Sequence, residues 1–371
     1  MICIKEVGHR ICENISLKEI DRRFRVARCA LLRVSAAVFF AGVAGSWTFA
    51  ADAGLRKEAL ALFEPIPQSP DPAPDPAAVE LGKALFFEPR LSEGHNISCN
   101  SCHNLGTGGA DLAPVSLGHR WQKGGRNSPT VLNATYNTAQ FWDGRAADLT
   151  EQAGGPMVNP VEMGSTQEHV VEQLKGIPGY LPLFAAAFPA DPDPVNFPNA
   201  EAAIAAFEQT LITPNAPFDR FLRGDEAAMT AEQQAGLRAF IDQGCAACHN
   251  GVNLGGNSYQ PFGVVEKPDW AIMPPGDKGR FEVTRAEEDA YVFKVPTLRN
   301  IAITPPYFHS GSVWDLNLAV GVMGSAQLGA ALDADQEASI VAFLDSLTGE
   351  MPQVVYPTLP PSTADTPRPQ Q

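Results

Sequence analysis

At 371 residues and a formal charge of −15, the chain is long enough for two cores and too acidic to engage nucleic acid through its phosphates. Three of its seven cysteines (Cys3, Cys12, Cys29) precede residue 54. The other four form two C-x-x-C pairs, which leaves none for a disulfide or a free nucleophile. Residues 22–53 read as a secretory signal. Arg22, Arg23, Arg25, Arg28 and Arg33 make a basic start, and Val34 to Gly45 is an apolar run too short for a comfortable span. Small residues around Thr48-Phe49-Ala50 and Ala51-Asp52-Ala53 offer cleavage sites; an uncleaved anchor is the alternative. Residues 1–53 are therefore assigned to an N-terminal extension and signal peptide. Their loss removes eight basic and five acidic residues, leaves a charge of −18, and implies export to a periplasm.

Leu55 to Phe63 begins a helical segment, and Pro65 to Pro76 reads as a proline-rich strap. Ala77 to Phe87 carries Val79, Leu81, Leu85 and Phe86 at helical spacing. It leads into Cys99-Asn100-Ser101-Cys102-His103, the c-type haem attachment pattern. The thiols add to the haem vinyl groups, and His103 is placed to become an iron ligand. A zinc knuckle or a redox dithiol is the bland reading. The pattern returns, however, as Cys245-Ala246-Ala247-Cys248-His249, and a four-cysteine zinc site needs no histidine after each pair. Residues 104–165, rich in Gly, Asn and Pro, are expected to be mostly loop wrapped on a haem. Ser165 is read as capping a helix to Leu174 with Glu168 at its third position. Pro178 to Pro198 is a broken stretch, and Ala200 to Ile212 is helical. Thr230 caps a helix to Asp242 that feeds the second motif. Asp333 to Leu347 is a last amphipathic helix, with Ile340, Phe343, Leu344 and Leu347 on one face. The proline-rich tail beyond Gly349 is extended.

An internal repeat links the halves. Pro129-Thr130-Val131-Leu132-Asn133 recurs as Pro296-Thr297-Leu298-Arg299-Asn300, an offset of 167 residues. The same offset maps Phe141-Trp142-Asp143-Gly144 onto Phe308-His309-Ser310-Gly311. With a short slip, Glu162-Met163-Gly164 answers Val322-Met323-Gly324. The expected fold is mainly α: two cytochrome c-like domains related by internal duplication, each with one covalent haem. Their bounds are 54–215 and 216–350, with a Pro-rich tail at 351–371.

The halves diverge where a second iron ligand would come from. In the second half the candidate is Met323, with Met273 as competitor, and spacing leaves the choice open. In the first half His119 follows His103 by sixteen residues, far enough to loop over the distal face. Histidine on both sides of an iron gives a lower potential than histidine with methionine. His95 reads as a supporting group near the first motif, and His169 as an exposed helix residue. Glu162 stands where the repeat puts the distal side. A carboxylate there can take a proton from the near oxygen of a peroxide and give it to the leaving one. Gln152 can support it as a neutral hydrogen-bonding group.

Taken together these motifs resemble the bacterial di-haem cytochrome c peroxidases. The likeness runs from about Leu81 to Gly349. It is carried by both C-x-x-C-H motifs, Ser116-Leu117-Gly118-His119, Asn127 to Asn133, Gln140 to Arg145, Glu162-Met163, Pro306 to Gly311 and Met323-Gly324. The resemblance implies a low-potential peroxidatic haem with His103 proximal and His119 as displaceable distal ligand. It implies an electron-accepting, high-potential haem ligated by His249 and Met323. Trp142 resembles the relay between haems, Glu162 the catalytic acid–base, and Gln152 its neighbour. His309 matches a histidine near the second haem, a partner for a haem propionate or an outer-shell group. A calcium ion is implied, held by the side chain of Asn127 and the backbone carbonyls of Thr304 and Pro306. The partners implied are hydrogen peroxide and a small donor protein, a cytochrome c or a cupredoxin, with a homodimer as the expected assembly. Two other functions fit di-haem chains. One is oxidation of a protein side chain, as in the enzyme that matures the tryptophan cofactor of methylamine dehydrogenase, which has tyrosine in place of Met323. The other is electron carriage without catalysis.

Overall fold

The computed structural model describes residues 53–369. The expected signal lies outside them, except Ala53, where the first helix begins. Among the described residues no helix is long and apolar enough to cross a membrane. In chain order the helices are α1 Ala53–Ala59, α2 Pro76–Phe86, α3 Cys99–Cys102, α4 Leu149–Val158, α5 Gln167–Lys175, α6 Leu181–Ala187, α7 Phe197–Glu208 and α8 Pro217–Leu222. They continue with α9 Ala231–Asp242, α10 Phe281–Thr284, α11 Leu316–Met323 and α12 Ala334–Asp345. One antiparallel ribbon joins β1 Tyr259–Pro261 to β2 Val292–Lys294, with Tyr259 opposite Lys294.

Two apolar cores organise these helices, and each is built on a close helix crossing. Asp75 caps α2 by accepting from the N–H groups of Ala77 and Ala78, and Pro76 supplies a preset first turn. The helix meets α7 at Gly82, where a Cβ would overlap the carbonyl oxygen of Ala203. The second crossing repeats the device. Thr230 and Gln233 form a reciprocal cap on α9, which meets α12 at Gly236, where a Cβ would overlap the carbonyl of Ser339. Close approach packs Phe86 on Phe207 (ring centroids 5.3 Å apart) in the first core and Phe240 on Phe343 (5.2 Å) in the second. Each fully buried phenylalanine contributes about 1.5–3 kcal/mol of transfer free energy.

Several elements depart from the sequence expectation. The segment 104–165 is not all loop. Asp148 accepts from the N–H of Glu151 and starts α4, whose glycines and Pro156 hide it from a propensity reading. Pro182 and Pro217 likewise sit in the first turns of helices, α6 and α8, because proline fits there. Thr166, not Ser165, caps α5: its hydroxyl accepts from the N–H of His169. That puts His169, and not Glu168, at the third helical position. His169 is buried rather than exposed, because it shares the inner face of α5 with Val170, Gln173 and Leu174. The α1 side chains Leu55 and Ala59, with Phe63, join the second core, where Phe63 meets Phe218 at 5.5 Å. The strap 65–76 can carry the chain about 40 Å when extended, enough to reach the first core from there. The tail lies across the first core, where Met351, Val354 and Leu359 pack. Its carbonyls accept from Arg90 at Pro360 (2.7 Å) and from Gln173 at Pro367 (3.2 Å).

One buried ion pair ties the strap to the second half. Arg299, 1% exposed, lies 2.7 Å from Asp219 and donates to the carbonyls of Val252 and Glu64. Asp219 also accepts from the N–H of Ile66. Asp219→Ala strands a buried guanidinium and is expected to cost about 3–5 kcal/mol, read as a lower urea midpoint at unchanged slope.

Candidate active site

Both C-x-x-C-H motifs are wound as a single tight turn that returns the histidine N–H to the first cysteine. His103 donates to the Cys99 carbonyl at 2.9 Å, and His249 to that of Cys245 at 3.0 Å. Each imidazole then turns Nδ1 to a carbonyl, His103 to Pro129 at 3.0 Å and His249 to Leu254 at 3.0 Å. A carbonyl only accepts, so Nδ1 carries the proton and Nε2 keeps its lone pair. Burial holds both imidazoles below their ordinary pKa and therefore neutral. These are the protonation and tautomer states a metal-ligating histidine needs. The surrounding turns recur at the offset of 167 residues. Asn133 and Asn300 have φ 60° and 61°, and Phe141 and Phe308 have φ 66° and 68°, an uncommon conformation for a bulky residue. Bridges Gln140–Ala146 and Tyr307–Val313 close the matching loops.

A mainly apolar cavity opens at the second motif, walled by Cys245, Cys248, His249 and Met323 among others. Met323 ends α11 and is followed by a π-helical turn, Gly324–Leu328. Met273 is buried but is not part of this wall. The walls and chemistry suit a flat apolar group attached through two thiols and one imidazole. Trp142 lines the same cavity; its indole N–H donates to the Asn127 carbonyl at 2.8 Å, and its ring lies 6.2 Å from that of His309. His309 stacks on Phe293 at 4.3 Å, and burial pushes its pKa down to about 4. Asn127, Thr304 and Pro306 also line this wall. Asn127 spends its amide N–H on Ala113, and among the described residues its side-chain oxygen and the Thr304 and Pro306 carbonyls accept no hydrogen bond. Three unfilled hard oxygens fit a calcium ion better than any nitrogen or sulfur site would. Among the described residues no group of three His, Cys, Asp or Glu is gathered for a metal.

His119 and Glu162 belong to one packed unit beside the first motif. The loop 117–123, closed by a bridge between Leu117 and Lys123, lies on the turn 159–164. His119 N–H donates to the Glu162 carbonyl at 2.7 Å, and Gln122 donates to Pro160 at 3.0 Å. The fit needs two glycines. A Cβ at Gly118 would overlap the Val161 carbonyl, and Gly164, at φ 69°, sits against the His119 ring. The Glu162 carboxyl accepts from Asn159 at 3.0 Å. Burial raises its pKa above the ordinary carboxylate value, opposed by the charge of Arg145 and by the Asn159 bond. His119 Nε2 is buried and lies 3.0 Å from the Glu93 carboxylate without a hydrogen bond to it. Gln152 is half-buried on α4.

Residues 76–227 match the di-haem cytochrome c peroxidase family. Two curated relatives are called cytochrome c551 peroxidase. The one from Pseudomonas aeruginosa is 57% identical over 85% of this chain and 92% of its own length. The one from Nitrosomonas europaea is 49% identical over 84% and 92%. The chain belongs to the di-haem cytochrome c peroxidase family. It is by that membership an oxidoreductase of a family that carries two haem groups. Among solved structures, a MauG-like protein associated with microbial copper homeostasis is 28% identical, with a TM-score of 0.68 over 77% of this chain and 93% of that one.

Within this di-haem peroxidase fold the sequence reading missed three neighbours of the candidate residues. Asn159 lies in the Gly-, Asn- and Pro-rich stretch, where nothing singles it out. Arg145, whose guanidinium lies over the Phe141 ring at 3.5 Å, ends the Gln140 to Arg145 motif, whose spacing gives it no role. Glu93 had no signal at all, because its approach to His119 is tertiary.

Proposed function

We propose that the chain is a periplasmic cytochrome c peroxidase, reducing hydrogen peroxide to water with two electrons from a cytochrome c or cupredoxin. The observation that carries this reading is the shared unit of His119 and Glu162, a half-buried acid–base group whose main-chain carbonyl accepts from the main-chain N–H of the residue that carries the displaceable imidazole. An electron carrier has no use for that unit. The names of the two c551 peroxidase relatives support the same substrate and donor class. Bound at Cys99, Cys102 and His103 and at Cys245, Cys248 and His249, two haems would supply peroxide ligation and electron transfer. Met323 completes the second site, which takes the donor's electrons, and Trp142 lies on the route to the first. Glu162 moves a proton between the two peroxide oxygens, with Gln152 as neutral support. Calcium held by Asn127, Thr304 and Pro306 stiffens the junction.

The paired helix crossings and matching turns support an internal duplication, with haem domains at 54–215 and 216–350, and with the α1 side chains lent to the second core. Export through the signal at 22–53 accounts for covalent attachment, and the calcium-linked homodimer of the family belongs to the same reading. The MauG-like neighbour raises protein side-chain oxidation as an alternative. Met323 on the cavity wall and His119 beside Glu162 both weigh against it.

The test is electron paramagnetic and optical spectroscopy on mature protein with calcium, poised at one electron per molecule, followed by peroxide. One haem is expected to reduce at high potential, the other to turn high-spin, and peroxide to be consumed. A second haem that stays six-coordinate, with peroxide untouched, makes the chain a carrier or a protein-modifying relative.

A further inference from the structure

Lys294 is a buried ammonium without a counter-charge. It ends β2, its main-chain N–H donates to the Trp142 carbonyl at 2.8 Å, and the residue is 7% exposed on the wall of the second cavity. Among the described residues its Nζ makes no hydrogen bond or ion pair. Burial pushes its pKa down to about 8, which leaves it mostly charged at neutral pH. A lysine is almost never buried unless paired, yet no aspartate or glutamate lines this cavity. The other basic groups on its wall are Arg299, His249 and His309. Arg299 is committed to Asp219, and His249 turns Nδ1 to Leu254. His309 Nε2 is buried without a hydrogen bond, with Asp277 no nearer than 3.9 Å. The wall therefore presents an ammonium without a partner, a buried imidazole nitrogen without a hydrogen bond, and no anion. The missing negative charge must arrive with what fills the cavity.

A c-type haem carries two propionate carboxylates. We propose that Lys294 Nζ binds a carboxylate of the cofactor attached at Cys245, Cys248 and His249, fixing its orientation and raising the potential of that site. The inference rests on the di-haem reading and adds a positioning residue to it. A fixed positive charge beside a haem favours the reduced, less positive state, so removing it must favour the oxidised one.

The experiment compares Lys294→Gln and Lys294→Arg in the mature holoenzyme. The readouts are haem content per chain, the midpoint of the higher-potential haem by optical redox titration, and the resonance Raman bands of the haem carboxylates. At the potential where wild type is half reduced, Lys294→Gln is expected to lower the reduced-to-oxidised ratio about five- to tenfold, tenfold being ~59 mV for one electron. It should also shift a carboxylate band, and Lys294→Arg should restore both. An unchanged midpoint and unchanged bands in Lys294→Gln with both haems present overturn the proposal. If that variant does not mature, Lys294→Met, which buries no unsatisfied amide, carries the same comparison. Fewer than two haems in the wild type would instead sink the di-haem reading, and the haem count separates the two failures.

Discussion

Glu162→Gln is expected to lower kcat/KM for hydrogen peroxide by about 10²- to 10⁴-fold, the range a positioned acid–base group contributes. Glutamine keeps the volume and can still accept from Asn159, so the turn 159–164 and its bond to His119 persist. Only the ability to accept a proton and return it is lost. Haem content and the spectra of the resting and one-electron states should match wild type. The pH profile adds an independent readout. Glu162 must be ionised to take the first proton, and burial has raised its pKa. Wild-type activity should therefore fall on the acid side with a midpoint above the ordinary carboxylate value, and the residual activity of Glu162→Gln should lack that limb. Full activity in Glu162→Gln would take the proton role away from Glu162.

The two helices that cross in the second core, α9 and α12, were legible because their caps are local. Thr230 with Gln233, and Asp333 with Gln336, announce their helices within four residues. α4 and α6 were not legible, since glycine and proline weigh against a helix that tertiary burial of Ala153, Met157 and Phe184 stabilises. The tail, read as extended, holds no helix or strand among the described residues and turns at 364–366. Its place on the first core was not legible, because a proline-rich segment carries no periodic apolar face to locate it. At the site, the cysteines and histidines were legible because covalent attachment fixes their spacing. Met323 and Met273 look alike in sequence, and only the course of α11 puts one of them on the cavity wall. Glu93 and Lys294 were illegible for the opposite reason to the motifs: nothing near them in the chain says what they face.

His119→Gly is expected to make the fully oxidised protein consume peroxide without prior reduction, raising its initial rate about 10- to 1,000-fold. That range follows if the open state is populated at roughly 0.1–10% before activation, since removing the competing ligand makes the competent state the only one. The backbone N–H of residue 119 remains to donate to the Glu162 carbonyl, so the substitution removes the imidazole and leaves the acid–base turn in place. Pre-reduced wild type and His119→Gly should then reach similar rates. Glu93 makes the same equilibrium adjustable from its other end. In this structure the carboxylate lies 3.0 Å from His119 Nε2, a charge contact without hydrogen-bond geometry that favours the state in which that nitrogen ligates nothing. Glu93→Gln removes that charge, so it should shift the balance toward the ligated state and leave a smaller high-spin signal after one-electron reduction. It should not change the rate of the high-spin fraction that remains. Opposite signs from two ends of one contact are hard to obtain from a merely structural role. If His119→Gly still needs reduction, or if both substitutions move the high-spin fraction in the same direction, His119 is not the gate and the loop 117–123 serves only to support Glu162.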